Sequence, residues 1–179
     1  LNDFGLFVFD IDKSPISGGS MVLYAKKEKI SESLIVKEYR ETEEKKKTNE
    51  LSSWESFAER SFDHKEKMLE IMNNVVKKGE RVIGWGASAR SSTLLNFCGI
   101  GSEMIPIIAD STTLKHKHFT AGSHILIDSH DIVMKTNPTA VVILAWNFAS
   151  EIMESLRNKF NFHGICVIPL PKEPRIETI

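Results

Sequence analysis

Apolar residues recur along this chain with three different rhythms, each of which predicts a different kind of element. Leu6, Phe7, Val8, Phe9 and Ile11 form a β-rich run, and Met21 to Ala25 form a second, separated by the turn-forming stretch Ser14-Pro15-Ile16-Ser17-Gly18-Gly19-Ser20. That pattern predicts a pair of strands. A lone pair is marginal in water, so it calls for a sheet contributed from elsewhere. Residues 32 to 47 turn charged and read as a solvated helix or linker. After Ser52 or Ser53, either of which can cap a helix, Trp54, Phe57, Met68, Leu69, Met72, Val75 and Val76 keep helical spacing as far as a stop at Gly79. The spacing puts Trp54 and Phe57 on the core-facing side of that helix.

From Glu80 onwards β-like and α-like segments alternate. Residues 80 to 84 read as a strand, 88 to 98 as a helix stopped by Gly99, and 104 to 109 as a second strand. A short apolar run at 125 to 127 and a helix at 129 to 135 follow, the latter ended by Asn137-Pro138. Ala140-Val141-Val142-Ile143-Leu144-Ala145-Trp146 is continuously apolar, as expected of a strand buried on both faces. Asn147 is a plausible cap for an amphipathic helix over 148 to 160, with Phe148, Ile152, Leu156 and Phe160 on one side; residues 164 to 169 form the last predicted strand. Such alternation predicts an α/β fold, a Rossmann-like parallel sheet of about four to five strands flanked by helices, with ligands beyond the carboxyl ends of the strands.

Composition narrows the function classes. Of 179 residues 41% are hydrophobic and 26% charged, and 23 Lys+Arg against 24 Asp+Glu leave a net charge of -1. This balance argues against nucleic-acid binding driven by phosphate neutralisation. No apolar run is long enough for a membrane span, so a cytoplasmic protein is expected. The two cysteines, Cys98 and Cys166, sit in apolar surroundings without metal-ligand spacing and are expected to be buried, reduced thiols.

Candidate chemistry concentrates at the first βα junction, Gly84-Trp85-Gly86-Ala87-Ser88-Ala89-Arg90. This is a G-x-G-x-x-A between a strand and a helix, with Gly84 for the turn, Gly86 for close ligand approach and Ala89 for helix packing. Ser88, Ser91, Ser92 and Thr93 offer hydroxyls, and Arg90 offers a fork of donors to a phosphate. Asp110 ends the second strand near the roughly 20-residue spacing at which dinucleotide-binding folds set a carboxylate against ribose. It is equally a residue that caps a turn. Lys115-His116-Lys117-His118 is a phosphate-binding or merely solvated loop, with no metal site expected. His124 is a ligand contact or a structural histidine, and Trp146 caps the core or lines the ligand edge.

Taken together, the segments GERVIGWGASARSSTLLNFCGIG, DSTTLKHKHFTAGSHILI, AVVILAWNFASEIME and VIPLP resemble the C-terminal domain of the S-adenosylmethionine-dependent nucleotide-sugar C-methyltransferases. That family's pattern runs G-x-G-A-x-A-K-G-N-T-L-L-N-x-C-G-I, then D-x-N-x-x-K-Q-G-x-x-x-P-G-T-H-I-P-I, then L-x-L-A-W-N. GLFVFDI and PISGGSM near the start resemble the last strands of the same family's central methyltransferase domain. The resemblance implies three parts. Residues 1–30 are the last strands of a missing methyltransferase domain, 31–78 a helical connector, and 79–179 a Rossmann-like nucleotide-sugar-binding domain. It implies that S-adenosylmethionine binds outside this chain, that zinc-binding and methyltransferase domains belong with it in cis, and that the catalytic residues lie upstream of Leu1. The fragment alone is then inactive. Carried over by position, Gly84, Gly86, Ala87, Thr93, Asn96, Asp110, Lys115, Gly122, His124, Trp146 and Asn147 match the pattern, with Arg90 in place of a lysine. Ser91-Ser92, His116-Lys117 and Ala121 depart from it. Read without the resemblance, the same residues describe an NAD-binding oxidoreductase domain, or a packing domain that holds no ligand.

Overall fold

The computed structural model describes residues 1–15 and 19–179; Ile16, Ser17 and Gly18 of the predicted turn lie outside the described residues. The chain divides into two compact units, Leu1–Arg60 and Ser61–Ile179.

In the first unit, β1 (Phe7–Ser14) and β2 (Ser20–Lys26) pair antiparallel, with an irregularity between Val8 and Asp10. Helix α1 (Leu34–Lys45) packs on β1, anchored where the Ser33 amide donates to the Phe9 carbonyl at 2.9 Å. Among the described residues of this unit, the buried apolar side chains are Ile11 and Val36. Every residue of β2 is exposed. The long helix α2 (Leu51–Lys77) begins here and ends in the second unit. It starts before Ser52 and Ser53, because the turn at Lys47 to Glu50 feeds directly into it through Ser53 N–H to Glu50 O at 3.2 Å. Its expected apolar face is buried only where it enters the second unit, at Met68, Met72 and Val75. Trp54 and Phe57, expected in the core, are 60% and 56% exposed and stack edge-to-face on each other.

The second unit is a six-stranded sheet in the order β5-β4-β3-β6-β7-β8, built from β3 (Val82–Trp85), β4 (Ile107–Ala109), β5 (Leu126–Asp128), β6 (Ala140–Ile143), β7 (Ile165–Ile168) and β8 (Arg175–Thr178). The first five run parallel and β8 is antiparallel to β7. Alternate residues of each strand face opposite layers. On one side Val82, Ile108, Val142 and Val167 meet Met68, Met72 and Val75 of α2 and Leu94, Leu95 and Cys98 of α3 (Ala89–Cys98). On the other side Ile83, Trp85, Val141 and Ile143 meet Val133 of α4 (His130–Met134) and Ile152 and Leu156 of α5 (Ala149–Phe160). Burying each such aliphatic side chain contributes about 1.5 to 3 kcal/mol. The Rossmann-like α/β expectation holds, and both cysteines are free and buried.

Three boundaries differ from the pattern for physical reasons. Strand β4 starts after Pro106, which has no N–H to give a ladder. Strand β6 ends at Ile143 because the Leu144 amide turns back to the Val142 carbonyl, after which Trp146–Phe148 form a single 3-10 turn. Asn147 lies inside that turn, so α5 is preceded by Phe148 and receives no side-chain cap. Phe148 itself is exposed. Strand β8 went unpredicted because its charged sequence Arg-Ile-Glu-Thr hides a sheet edge.

Candidate functional site

Strand β3 lies in the middle of the sheet, between β4 and β6. The chain leaves β3 for β4 and β5 on one side, then returns to place β6 and β7 on the other. The carboxyl ends of β3 and β6 therefore flank a topological switch point, the position where open α/β sheets bind ligands.

Gly84 belongs to the strand and not to the turn. A Cβ there would lie 2.7 Å from Ile108 Cγ1 and 2.9 Å from Leu144 Cδ1, so its missing side chain serves core packing. Gly86 makes the turn, at φ +97°, and donates its N–H to the Ala109 carbonyl at 2.8 Å. Ser88 caps α3 through a reciprocal box. The Ser91 amide donates to Ser88 Oγ at 3.2 Å and the Ser88 amide to Ser91 Oγ at 2.6 Å. Ser91 is wholly buried, and Thr93 Oγ1 donates to the Ala89 carbonyl at 3.2 Å. Those two hydroxyls face the helix backbone. Ala89 and Arg90 form the exposed part of the first turn.

Asp110, 8% exposed, lies directly behind the turn. Its Oδ2 accepts the Ala87 N–H at 2.8 Å and its Oδ1 accepts the Thr112 N–H at 2.8 Å. Lys115 Nζ donates to the Ala87 carbonyl at 2.8 Å and lies 3.2 Å from Asp110 Oδ2. Burial alone would push the Asp110 carboxyl up. The donors from Thr112, Ala87 and Lys115 together outweigh it and hold the group below the usual carboxylate range. Of the neighbouring pair, His116 Nε2 lies 2.9 Å from the Asp110 carbonyl, while the Lys117 amide donates to the Ile127 carbonyl at 2.7 Å.

His124 sits on a tight loop. Gly122, at φ +80°, is pressed on Asn96 of α3, whose Nδ2 donates to the Ser92 carbonyl at 2.8 Å and the Ala121 carbonyl at 3.0 Å. Thr120, buried, closes the loop by accepting the Ile125 N–H at 2.9 Å. His124 adopts φ +52° and stacks on Phe119 with centroids 4.3 Å apart and planes 2° from parallel. At the other flank of the switch point Trp146 packs half-buried against the α2 and α3 core, with Asn147 half-buried beside it.

A family model described as the C-methyltransferase C-terminal domain matches residues 15–171. The chain belongs to this C-methyltransferase family. It is 31% identical over 174 residues to C-methyltransferase NovU of Streptomyces niveus, an alignment that covers 96% of this chain and 41% of that protein. The chain thus spans less than half the length of the curated relative it matches.

In this C-methyltransferase domain the structure links the glycine turn, Asp110 and Lys115 directly, and it sets His124 on a separate loop held to the same helix. The G-x-G motif does not announce the surroundings of its middle residue. Trp85, the middle residue of the G-x-G, is buried on the opposite side of the sheet and stacks on His130 at 4.3 Å, with Phe160 edge-on at 5.7 Å. Burial, followed by the charge of Lys159, lowers the pKa of His130 despite the nearby Asp110 and Asp131 carboxylates. The signal available in the sequence was period-2 alternation through Val82 to Trp85, which puts Trp85 opposite Gly84. Among the described residues, no group of three or more His, Cys, Asp or Glu side chains is arranged to hold a metal, and no helix is long and apolar enough to cross a membrane.

Proposed function

We propose that this chain is the nucleotide-sugar-binding part of an S-adenosylmethionine-dependent sugar C-methyltransferase, located in the cytoplasm and working with zinc-binding and methyltransferase domains in cis. The observation that carries the reading is the first turn of α3. It opens at the switch point of the sheet, is capped by Ser88 and presents exposed Arg90. The helix dipole favours an anion there by about 0.3 to 1 kcal/mol, and an arginine fork adds bidentate geometry for phosphate. Trp146 and Asn147 on the other flank, with His124 on the loop held by Asn96, complete the ligand-facing set.

The division into residues 1–30, 31–78 and 79–179 is part of the same reading. It is supported by β2, whose residues are exposed along its whole length as in a strand that belongs inside a larger sheet. The residues of the glycine turn do not fit S-adenosylmethionine itself. Its amides at Gly86, Ala87 and Ser88 are turned inward to Ala109, Asp110 and Ser91, and the carboxylate that would hold a ribose diol already accepts donors on both oxygens. We therefore assign no step of methyl transfer to these residues. The same saturation of Asp110 weighs against an NAD-binding role.

Calorimetric titration of the chain with thymidine diphosphate and with NAD tests the reading. Binding of the diphosphate without NAD binding is expected. Tight NAD binding with no response to the diphosphate overturns it, as does methyl transfer from S-adenosylmethionine by this chain alone.

A further inference from the structure

Asp110 and Lys115 stand where a ligand-binding acid and base would be sought, yet each is engaged with one residue of the glycine turn. The Asp110 carboxylate accepts the N–H of Ala87 at 2.8 Å, and the Lys115 ammonium donates to the carbonyl of the same residue at 2.8 Å. The two side chains meet each other at 3.2 Å. Both peptide units that flank the Ala87 Cα are therefore gripped by one ion pair, and Ser88, the cap of α3, is the next residue.

The grip is itself anchored. Asp110 Oδ1 accepts Thr112 N–H at 2.8 Å, the Asp110 amide donates to the Asp128 carbonyl at 3.0 Å, and the Asp110 carbonyl lies 2.9 Å from His116 Nε2. The bond to Asp128 ties the carboxyl end of β4 to that of β5, and the other two fold the loop after β4 back on Asp110. An ion pair closed in this way presents little net charge to a phosphate, because the ammonium is neutralised at short range. With only 8% of its surface exposed, Asp110 has no free face for a ribose diol.

We propose that Asp110 and Lys115 are positioning residues: together they clamp Ala87 and so fix the direction of the first turn of α3, and neither side chain touches the ligand. This rests on the reading that the turn of α3 faces an anion. A clamp and a contact pair give opposite signs for one substitution. If Asp110 merely lay beside a bound phosphate, removing its negative charge would tighten binding. If it holds the turn, removing it loosens the turn and weakens binding.

The test uses the full chain, with thymidine diphosphate as probe, and reads amide hydrogen exchange by NMR alongside calorimetry. In Asp110→Ala, exchange at Ala87 and Ser88 is expected to accelerate by roughly tenfold or more, the equivalent of losing one net hydrogen bond. Diphosphate affinity is expected to fall by about tenfold in Asp110→Ala and also in Lys115→Met, and the double variant is expected to be no weaker than the weaker single, since the pair acts as one unit. Tighter or unchanged binding in Asp110→Ala, or additive losses in the double variant, overturns the proposal. Should Asp110→Ala fold poorly, Lys115→Met alone decides: faster Ala87 exchange in the ligand-free protein supports the clamp, and weakened binding with unchanged exchange makes Lys115 a ligand contact and overturns it. Absence of diphosphate binding by the unaltered chain overturns the anion-site reading instead, while the exchange data still judge the clamp.

Discussion

Ala145 occupies the space that a side chain on Gly86 would need. A Cβ at position 86 would lie 2.6 Å from the Ala145 Cβ and 3.2 Å from its amide nitrogen. The contact is made across the switch point, and the Ala145 amide donates to the Trp85 carbonyl at 3.0 Å. The close approach that the G-x-G pattern advertises is therefore made by the protein's own chain after β6.

Gly86→Ala should in consequence be among the most damaging single substitutions in this domain. The φ of +97° costs a side chain about 1 to 3 kcal/mol, and overpacking against Ala145 adds about the same. Chemical denaturation of the variant measures the sum. A loss below about 1 kcal/mol would show that the segment after β6 yields readily, and would remove the case for a rigid switch point.

Much of this architecture was legible because burial imposes simple periods. The run from Ala140 to Ile143 is apolar throughout because it is covered on both faces, and Gly99 and Ser88 mark the ends of α3 as caps should. The misreadings share one cause, namely that local pattern does not say what lies opposite. Trp54 and Phe57 keep the spacing of a buried face but lie on a stretch of α2 whose described surroundings leave them in solvent. The motif assigns Gly84 to the turn and Gly86 to a ligand, whereas Ile108 stands over the first and Ala145 over the second. Asp110 was correctly placed at the end of its strand. That its partners are Ala87, Thr112 and Lys115 is a matter of tertiary geometry that spacing does not encode.

The Trp85–His130 stack links stability to pH. Burial, then Lys159, lowers the folded-state pKa of His130 beneath its unfolded value near 6.5. Below that value the unfolded chain binds a proton that the folded chain resists, so stability falls as the pH drops through about 6.5 towards the folded pKa. His64, also lowered, chiefly by burial, acts with the same sign. Melting temperatures at pH 7.5 and 5.5 are expected to drop in the unaltered protein and to drop less in His130→Phe, which keeps an aromatic against Trp85. Equal drops in both proteins would remove His130 from the account.

Cys166 is wholly buried, and its thiol is pushed up to about 11, first by burial and then by the Glu177 carboxylate. Cys98 is raised as well, by burial. The thiolate is the reactive form, so neither cysteine should react with iodoacetamide at pH 7.5 while the protein is folded, and both should react in denaturant. Intact-mass measurement before and after denaturation checks this. Alkylation of Cys166 under native conditions would mean that strand β7 opens locally.

Asn96 of α3 hydrogen-bonds the loop that carries His124, which allows the loop's attachment to be separated from its backbone strain. Asn96 donates to the Ala121 carbonyl, and its Oδ1 fills the position where a Cβ on Gly122 would go. Asn96→Ala removes the tether and should cost about 0.5 to 1.5 kcal/mol, the net worth of one hydrogen bond. Gly122→Ala adds both the collision with Asn96 and the strain of φ +80°, and should cost more. Because Asn96→Ala clears the collision, the double variant should be less destabilised than the sum of the singles by more than about 0.5 kcal/mol, the cost that remains being the lost tether and the strain. Additive losses would show that the loop relaxes away from α3. In that case Asn96 would not be what positions His124.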